Sequence, residues 1–300
     1  MAPIRSGLVQ WTTARRSAAV PATRSPIRLP APAKINLHLE ILGRRPDGFH
    51  ALETVFQTLE LADDLEIGVE PGEGVRLTCS DPTIPADASN LAWKAAAAVQ
   101  ARRPELGRVA IALDKRIPHG AGLGGGSSDA ASVLLALNRL LERPLAGPEL
   151  AAIAVGLGSD VPFFLLGGTA HATGRGEELT ALPALPRTPV TVLMPAAMLP
   201  TPTVFRALTD AERGPRAPRG AAWAAAASPA ELLHNRLTGP AARLCPEVAE
   251  LLAWLASHGV PHLLSGSGAA CFALADVDPP PGVRAFHTAT GPGAAGALGG

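Results

Sequence analysis

The chain contains no tyrosine, only three cysteines and no excess of either charge across 300 residues. Each shortage excludes something. Twenty-six basic residues balance 26 acidic ones, which argues against a nucleic-acid binder that relies on a broad basic field. No uninterrupted apolar run approaches the roughly 18 residues of a spanning helix, so no membrane segment is expected. Cys79, Cys245 and Cys271 stand far apart and share no metal or redox spacing. They suit a reducing cytosol with buried thiols, and no metal site built from protein side chains is expected.

What is present reads as a globular protein, with 47% hydrophobic and 17% charged residues. The length allows one large or two modest domains. Residues 1–27 hold Arg5, Arg15, Arg16 and Arg24 without one acidic residue. They read as a disordered basic leader, although a transit peptide has the same composition. The expected bodies are an N-terminal domain over residues 28–166 and a C-terminal domain over residues 167–278. A disordered tail over residues 279–300 is expected to follow.

The most informative stretch runs from Pro118 to Ala131, in which five of fourteen residues are glycine. A leucine-rich helical pattern follows directly, and Ser127 and Ser128 are the expected N-caps. Glycines let backbone N–H groups crowd inward, and a helix start adds unpaired donors and the positive end of a dipole. That combination cradles phosphate. Gly120 to Gly125 formally satisfies G-x-G-x-x-G, but no second strand ending in an acidic residue follows about twenty positions on. No Lys-Ser or Lys-Thr follows the glycines either, which excludes a P-loop.

Lys34, Asn36 and His38 alternate with Ile35, Leu37 and Leu39, the pattern of a strand with one polar and one buried face. Pro46-Asp47-Gly48 is a turn that delivers Phe49 and His50 into a second strand over residues 52–61. Further strands are expected at residues 65–69, 75–79 and 109–113, with a helix capped by Asn90 between the last two. Asp160 sits between Gly158-Ser159 and Val161-Pro162, where a helix-capping aspartate is the plainest reading. Strands at residues 169–173, 190–194 and 269–274 and helices at residues 202–208 and 246–257 are assigned to the second half. The Pro/Arg/Ala-rich run over residues 209–229 reads as a mobile excursion. Strands followed by helices argue for an α+β fold.

Six segments together resemble the GHMP kinase superfamily. They are Pro32 to Leu37, Arg45 to His50, Pro118 to Ala131, Gly158 to Pro162, Pro200-Thr201-Pro202 and Ser265 to Gly268. The resemblance implies a two-domain α+β fold with the active site in the interdomain cleft. It implies ATP as co-substrate, accompanied by Mg²⁺. The nucleotide would contact Asn90, Lys115, Pro118, Gly120, Gly122, Leu123, Gly124, Gly125, Gly126, Ser127 and Ser128. Asp160 would be the catalytic base and Lys34 its neighbour, stabilising the developing alkoxide charge. The Pro-Asp-Gly-Phe-His turn and the Pro-Thr-Pro motif imply a cytidyl diphosphate sugar alcohol as substrate. Phe49 and Phe205 would sandwich its cytosine, with Asn36, His50 and Thr201 as polar contacts. Homoserine and mevalonate kinases would lack that turn, and a non-catalytic relative would lose Lys34 or Asp160. Phe49 stands where tyrosine is commoner, which loses a hydroxyl contact. Asp129 stands where asparagine is common, and is expected to face away from the phosphates or to cap the helix.

Overall fold

The computed structural model describes residues 25–213, Ala230 and residues 233–293. The leader up to residue 24 and most of the 209–229 run therefore lie outside the described residues. Strand β1 (Ile27–Arg44) pairs antiparallel with β2 (His50–Glu70) along nearly its whole length. The two expected strands at residues 52–61 and 65–69 are thus one. Strand β3 (Val75–Cys79), helix α1 (Leu91–Gln100) and strand β4 (Arg108–Asp114) follow. Asn90 does cap α1, accepting the Ala92 N–H at 2.9 Å. Helices α2 (Gly125–Leu140), α3 (Gly147–Leu157) and α4 (Val161–Leu166) then cover one face of the sheet. Their buried side, including Ala131, Leu134, Phe163 and Phe164, packs against Leu29, Phe56 and Ile67.

Strand β5 (Thr169–Thr173) departs from expectation. It pairs with β2 at Thr54 to Gln57, and β6 (Glu178–Ala181) pairs with β5, so both extend the first sheet. Gly167, at φ +70°, turns the chain back rather than across to a second domain. The first sheet runs β3-β4-β2-β1, with β8 (His234–Asn235) beside β1. A second sheet holds β7 (Pro189–Met194), β9 (His262–Leu264), β10 (Cys271–Ala273) and β11 (Arg284–Ala289) in the order β11-β7-β10-β9. Helices α5 (Thr201–Arg206), α6 (Asp210–Arg213), α7 (Thr238–Leu244) and α8 (Pro246–Ser257) accompany it.

The tail over residues 279–300 was expected to lack structure, yet β11 lies within it and pairs with β7 over six residues. Gly291 then donates its backbone N–H to the Thr58 carbonyl of β2 at 3.0 Å and accepts from the Thr58 hydroxyl, tying this segment back to the first sheet. Pairing supplies what the composition did not advertise. The Thr288 hydroxyl accepts the Leu61 N–H at 2.8 Å.

β1 carries the junction between the two sheets. Residues 31–41 are buried without interruption, so the expected single buried face is corrected to two. Ala33, Ile35 and Leu37 pack against Val190, Val192 and Phe272 of the second sheet. The opposite face carries Lys34 and Asn36, both almost fully buried. Register breaks between Pro32 and Lys34 and between Asn36 and His38 act as bulges, which re-aim side chains beside a functional site. Among the described residues, no helix is long and apolar enough to cross a membrane.

Candidate active site

The glycine loop is held from both sides. Lys34 of β1 donates its backbone N–H to the Leu123 carbonyl at 2.9 Å, and Ser265 Oγ donates to the Gly122 carbonyl at 3.2 Å. A Cβ on Gly122 would come within 2.3 Å of the Ser265 carbonyl, and φ there is +76°. Glycine is therefore required by both space and conformation. The expected serine caps are corrected here. Gly124, in a left-handed conformation, is the N-cap, and α2 already begins at Gly125. Ser127 falls in its first turn, where backbone N–H groups lack helical partners, and Ser128 donates its N–H to the Gly124 carbonyl at 2.9 Å. A glycine N-cap keeps that end clear of side chain, which favours an approaching anion.

Lys34 Nζ donates to Asn36 Oδ1 at 2.7 Å and lies 3.7 Å from Asp160 Oδ2. Asn36 Nδ2 passes the chain on to Thr54 Oγ1 at 2.7 Å, and Thr54 donates to the His38 carbonyl at 2.6 Å. Burial lowers the Lys34 pKa, opposed by the neighbouring Asp160 carboxylate. Asp160 occupies the N-cap position of α4 but makes no side-chain cap bond. Its side chain is 33% exposed against 5% for Lys34. The capping reading of this aspartate is thereby set aside, because the carboxylate points at the lysine and not at the helix.

Both groups line a cavity of about 600 Å³. Asn36, Phe49, His50, Thr201, Phe205, Gly122 and Gly124 line it too, so the structure gathers residues from opposite ends of the chain. His50 stacks on Phe205 with ring centroids 5.0 Å apart. Burial and then the charges of Arg213 and Arg44 hold the imidazole pKa below its ordinary value. Phe49 is 54% exposed, with the Arg175 guanidinium 4.9 Å from its ring centre. Thr201 Oγ1 and Ser267 Oγ lie 2.7 Å apart, joining α5 to the terminal glycine–serine loop.

Other expected contacts lie away from this cavity. Asn90 is committed to capping α1 and donates Nδ2 to the Pro85 carbonyl at 2.8 Å. Leu123 is core, packed with Ile117 and Ala121. Pro118, Gly120, Gly125, Gly126, Ser127 and Ser128 form the loop and helix start behind Gly122 and Gly124. Lys115 is buried between Asp63 and Asp129, with Nζ 2.9 Å from Asp129 Oδ2. Asp129 does not cap the helix, and its Oδ2 accepts from the Lys115 ammonium.

Comparison with known proteins decides what this arrangement belongs to. The sequence matches the GHMP kinases N terminal domain over residues 90–168 and the GHMP kinases C terminal domain over residues 221–292. It is 46% identical to a 4-diphosphocytidyl-2-C-methyl-D-erythritol kinase of Thermus thermophilus over 82% of this chain and 86% of that one. It is 39% identical to the like-named kinase of Geobacter sulfurreducens, over 83% of this chain and 89% of the relative. The chain belongs to the GHMP kinase family.

A crystal structure of 4-(cytidine 5'-diphospho)-2C-methyl-D-erythritol kinase superposes with a TM-score of 0.72 at 41% identity, covering 88% of this chain and 100% of that one. A homoserine kinase from Cytophaga hutchinsonii shares the GHMP kinase fold at a TM-score of 0.67 and 17% identity, with 91% of this chain covered and 96% of that one. Within this GHMP kinase, sequence reasoning missed Thr54, Phe56 and Arg175, all of which line the cavity. Thr54 and Phe56 were hidden in an apolar strand. Arg175 had a signal, since it stands alone between Gly174 and Gly176 in a turn. Asn235 was also missed. Its Nδ2 donates to the carbonyls of Leu264 and Gly266, fixing the loop that meets Lys34. His258 and His262 have the spacing of a helical metal pair, but α8 ends at Ser257, and their Nδ1 atoms lie 2.8 Å from the Trp254 and Val260 carbonyls.

Proposed function

We propose that this GHMP kinase transfers the γ-phosphoryl group of ATP to the 2-hydroxyl of 4-diphosphocytidyl-2-C-methyl-D-erythritol, in isoprenoid precursor synthesis in the cytosol. The observation that carries the reading is the Lys34–Asp160 pair at one side of a cavity whose other side presents Phe49, His50 and Phe205. One side offers proton transfer and charge stabilisation, and the other offers recognition of a planar base. The named relatives at 39–46% identity support the same substrate.

Asp160 accepts the proton of the attacking hydroxyl, being partly exposed and free of cap bonds. Lys34, fixed by Asn36, faces the alkoxide as its charge develops. Phosphoryl transfer needs positioning and charge neutralisation more than covalent chemistry. The glycine loop and the first turn of α2 supply the positioning through backbone donors. Thr201, tied to Ser267, borders the sugar-alcohol side. His50, with its lowered pKa, is neutral at physiological pH and offers one donor and one acceptor to the cytosine edge. Arg44, Arg175, Arg206 and Arg213 also line the cavity and suit a substrate carrying a diphosphate.

Mg²⁺ accompanies ATP in this proposal. Ser128 Oγ is buried with no hydrogen-bond partner among the described residues, close to the start of α2, so it would fit a phosphate-bound magnesium. When bound, the ion neutralises phosphate charge. An assay of ATP consumption against a panel of alcohols tests the reading. Turnover is expected with the cytidyl substrate and not with homoserine or mevalonate, and the reverse order overturns it.

A further inference from the structure

Lys115, Asp63 and Asp129 form a second charged cluster that the reaction described above does not use. Asp63 is fully buried within β2, opposite Ala31 of β1 and next to Asp64, which pairs with Asp114 at the end of β4. Its Oδ1 accepts two backbone N–H groups in a row, Arg116 at 2.5 Å and Ile117 at 2.8 Å. Its Oδ2 accepts the Lys115 ammonium. Those three residues are the ones that lead the chain into the glycine loop. The same ammonium reaches forward to Asp129 in the opening turns of α2. A Cβ on Gly125, the first residue of α2, would lie 3.3 Å from Lys115 Nζ and 3.1 Å from Ile117 Cγ2. The chain before the loop and the chain after it are therefore pressed together, with Asp63 as the common anchor.

We propose that Asp63 is a positioning residue for the phosphoryl donor: by holding residues 115–117, it fixes both ends of the phosphate loop through Lys115. Lys115 then acts through this clamp and not by touching the nucleotide. The proposal rests on the reading that ATP phosphates occupy residues 120–128. The geometry supports it in two ways. A backbone N–H pair on one carboxylate oxygen sets the direction of the chain, as a buried acceptor left without its donors, or donors without it, is costly. A single cation shared by two carboxylates couples the two flanks of the loop, so neither can shift without breaking a buried charge contact.

The test is a double-mutant cycle read by calorimetric binding of adenylyl imidodiphosphate and of adenosine. Asp63→Asn keeps an oxygen for the two N–H groups and loses the charge that holds Lys115. It is expected to weaken binding of the triphosphate analogue about tenfold, in line with losing a charged hydrogen bond, and to leave adenosine binding unchanged. Lys115→Met should weaken the analogue similarly, and the two losses together should be no larger than either alone. Additive losses mean that Lys115 contacts the nucleotide directly, and overturn the proposal. Analogue binding unchanged in Asp63→Asn overturns it as well, because a purely structural anchor lowers only the melting temperature. Gly126→Asp separates the underlying reading, since its Cβ meets only Leu91 at 3.8 Å. Its carboxylate should abolish analogue binding, and failure there removes the phosphate site itself. Should Asp63→Asn not fold, hydrogen exchange on the native chain decides. The Arg116 and Ile117 amides must be strongly protected without nucleotide, and rapid exchange at both sinks the clamp.

Discussion

Lys34 and Lys115 flank the exit of the same glycine loop, and each faces aspartate from a buried position. A Cβ on Gly124 would meet the Lys34 side chain at 3.1 Å, and one on the next residue would meet the Lys115 ammonium. Beyond that their settings diverge. Lys115 is enclosed with two carboxylates that are 0% and 4% exposed. Every direction it could move in is already taken. Lys34 has a neutral amide at 2.7 Å and a single carboxylate at the looser distance of 3.7 Å, which opens on the cavity. A contact that is already short and closed contributes rigidity, and one that is incomplete leaves room for a reacting oxygen. In the proposed reading the same pair of residue types serves as a clamp on one side of the loop and as a reaction centre on the other.

Removing the open carboxylate should produce the largest effect. Asp160→Asn keeps size and polarity but cannot accept the hydroxyl proton, so kcat is expected to fall by about 10² to 10⁴. KM for ATP should hardly change, because the proposed function rests the phosphates on the loop and not on Asp160. Near-normal turnover would leave Asp160 as no more than an ion-pair partner of Lys34. The pH profile reads its partner. Burial lowers the Lys34 pKa from 10.5, and the reaction needs the charged form. Activity should therefore decline on the alkaline side at a pH below the ordinary lysine range, and a decline confined to that range would disconnect Lys34 from the rate.

A smaller effect is expected at the recognition side of the cavity. His50→Ala removes the hydrogen-bonding ring that stacks on Phe205, and KM for the cytidyl substrate should rise by roughly ten- to a hundredfold. Phe49→Ala should act in the same direction by less, since about 1 kcal/mol of stacking is at stake. Steady-state kinetics with each substrate varied in turn separates this from any effect on ATP. Unchanged KM values in both variants would make this turn an ordinary surface and reopen homoserine and mevalonate as substrates.

What was legible in the chain follows from how local each signal is. The glycine loop and the helix start behind it could be read because they are contiguous. The Pro46-Asp47-Gly48 turn could be read for the same reason, and so could the Asn90 cap. Lys34 and Asp160 were found by their motifs, yet nothing in either segment says that they meet. That depends on α4 packing against α2 and α3, which carries Asp160 at its start to the Lys34 side chain. The strand at residues 169–173 was assigned to the wrong sheet because Gly167-Gly168 marks a turn without saying which sheet the next strand joins. β11 was missed because Arg284 to Ala289 alternates weakly, and its partner β7 lies about ninety residues earlier. Asp63 was invisible for a related reason. It sits in Leu61-Ala62-Asp63-Asp64-Leu65, where two adjacent acids look like a solvated turn, and only the fold buries one of them.

Asp129 offers the mildest way to sharpen the comparison, because it belongs to the closed cluster but is its least satisfied member. Its Oδ1 has no hydrogen-bond partner among the described residues. Burial, with the nearby Asp63 charge adding to it and Lys115 opposing it, pushes this carboxyl from 3.8 up to about 7. A raised carboxyl pKa means that the folded state binds the proton more tightly than the unfolded chain does. The associated stability is therefore complete below the unfolded value and is lost as pH rises through about 7. Between about pH 6 and about pH 8 the native protein should lose about 1 kcal/mol from this group alone. Asp129→Asn cannot ionise, and its amide oxygen can still accept from Lys115. The variant should lack that part of the pH slope and melt about 2 to 4 °C higher relative to the native chain at the alkaline end than at the acidic end. Parallel melting curves for the two proteins across this range would mean that Asp129 stays ionised throughout. The closed cluster would then carry a full extra negative charge beside the phosphates, and its likeness to the open pair at Lys34 would be closer than the burial of its carboxylates suggests.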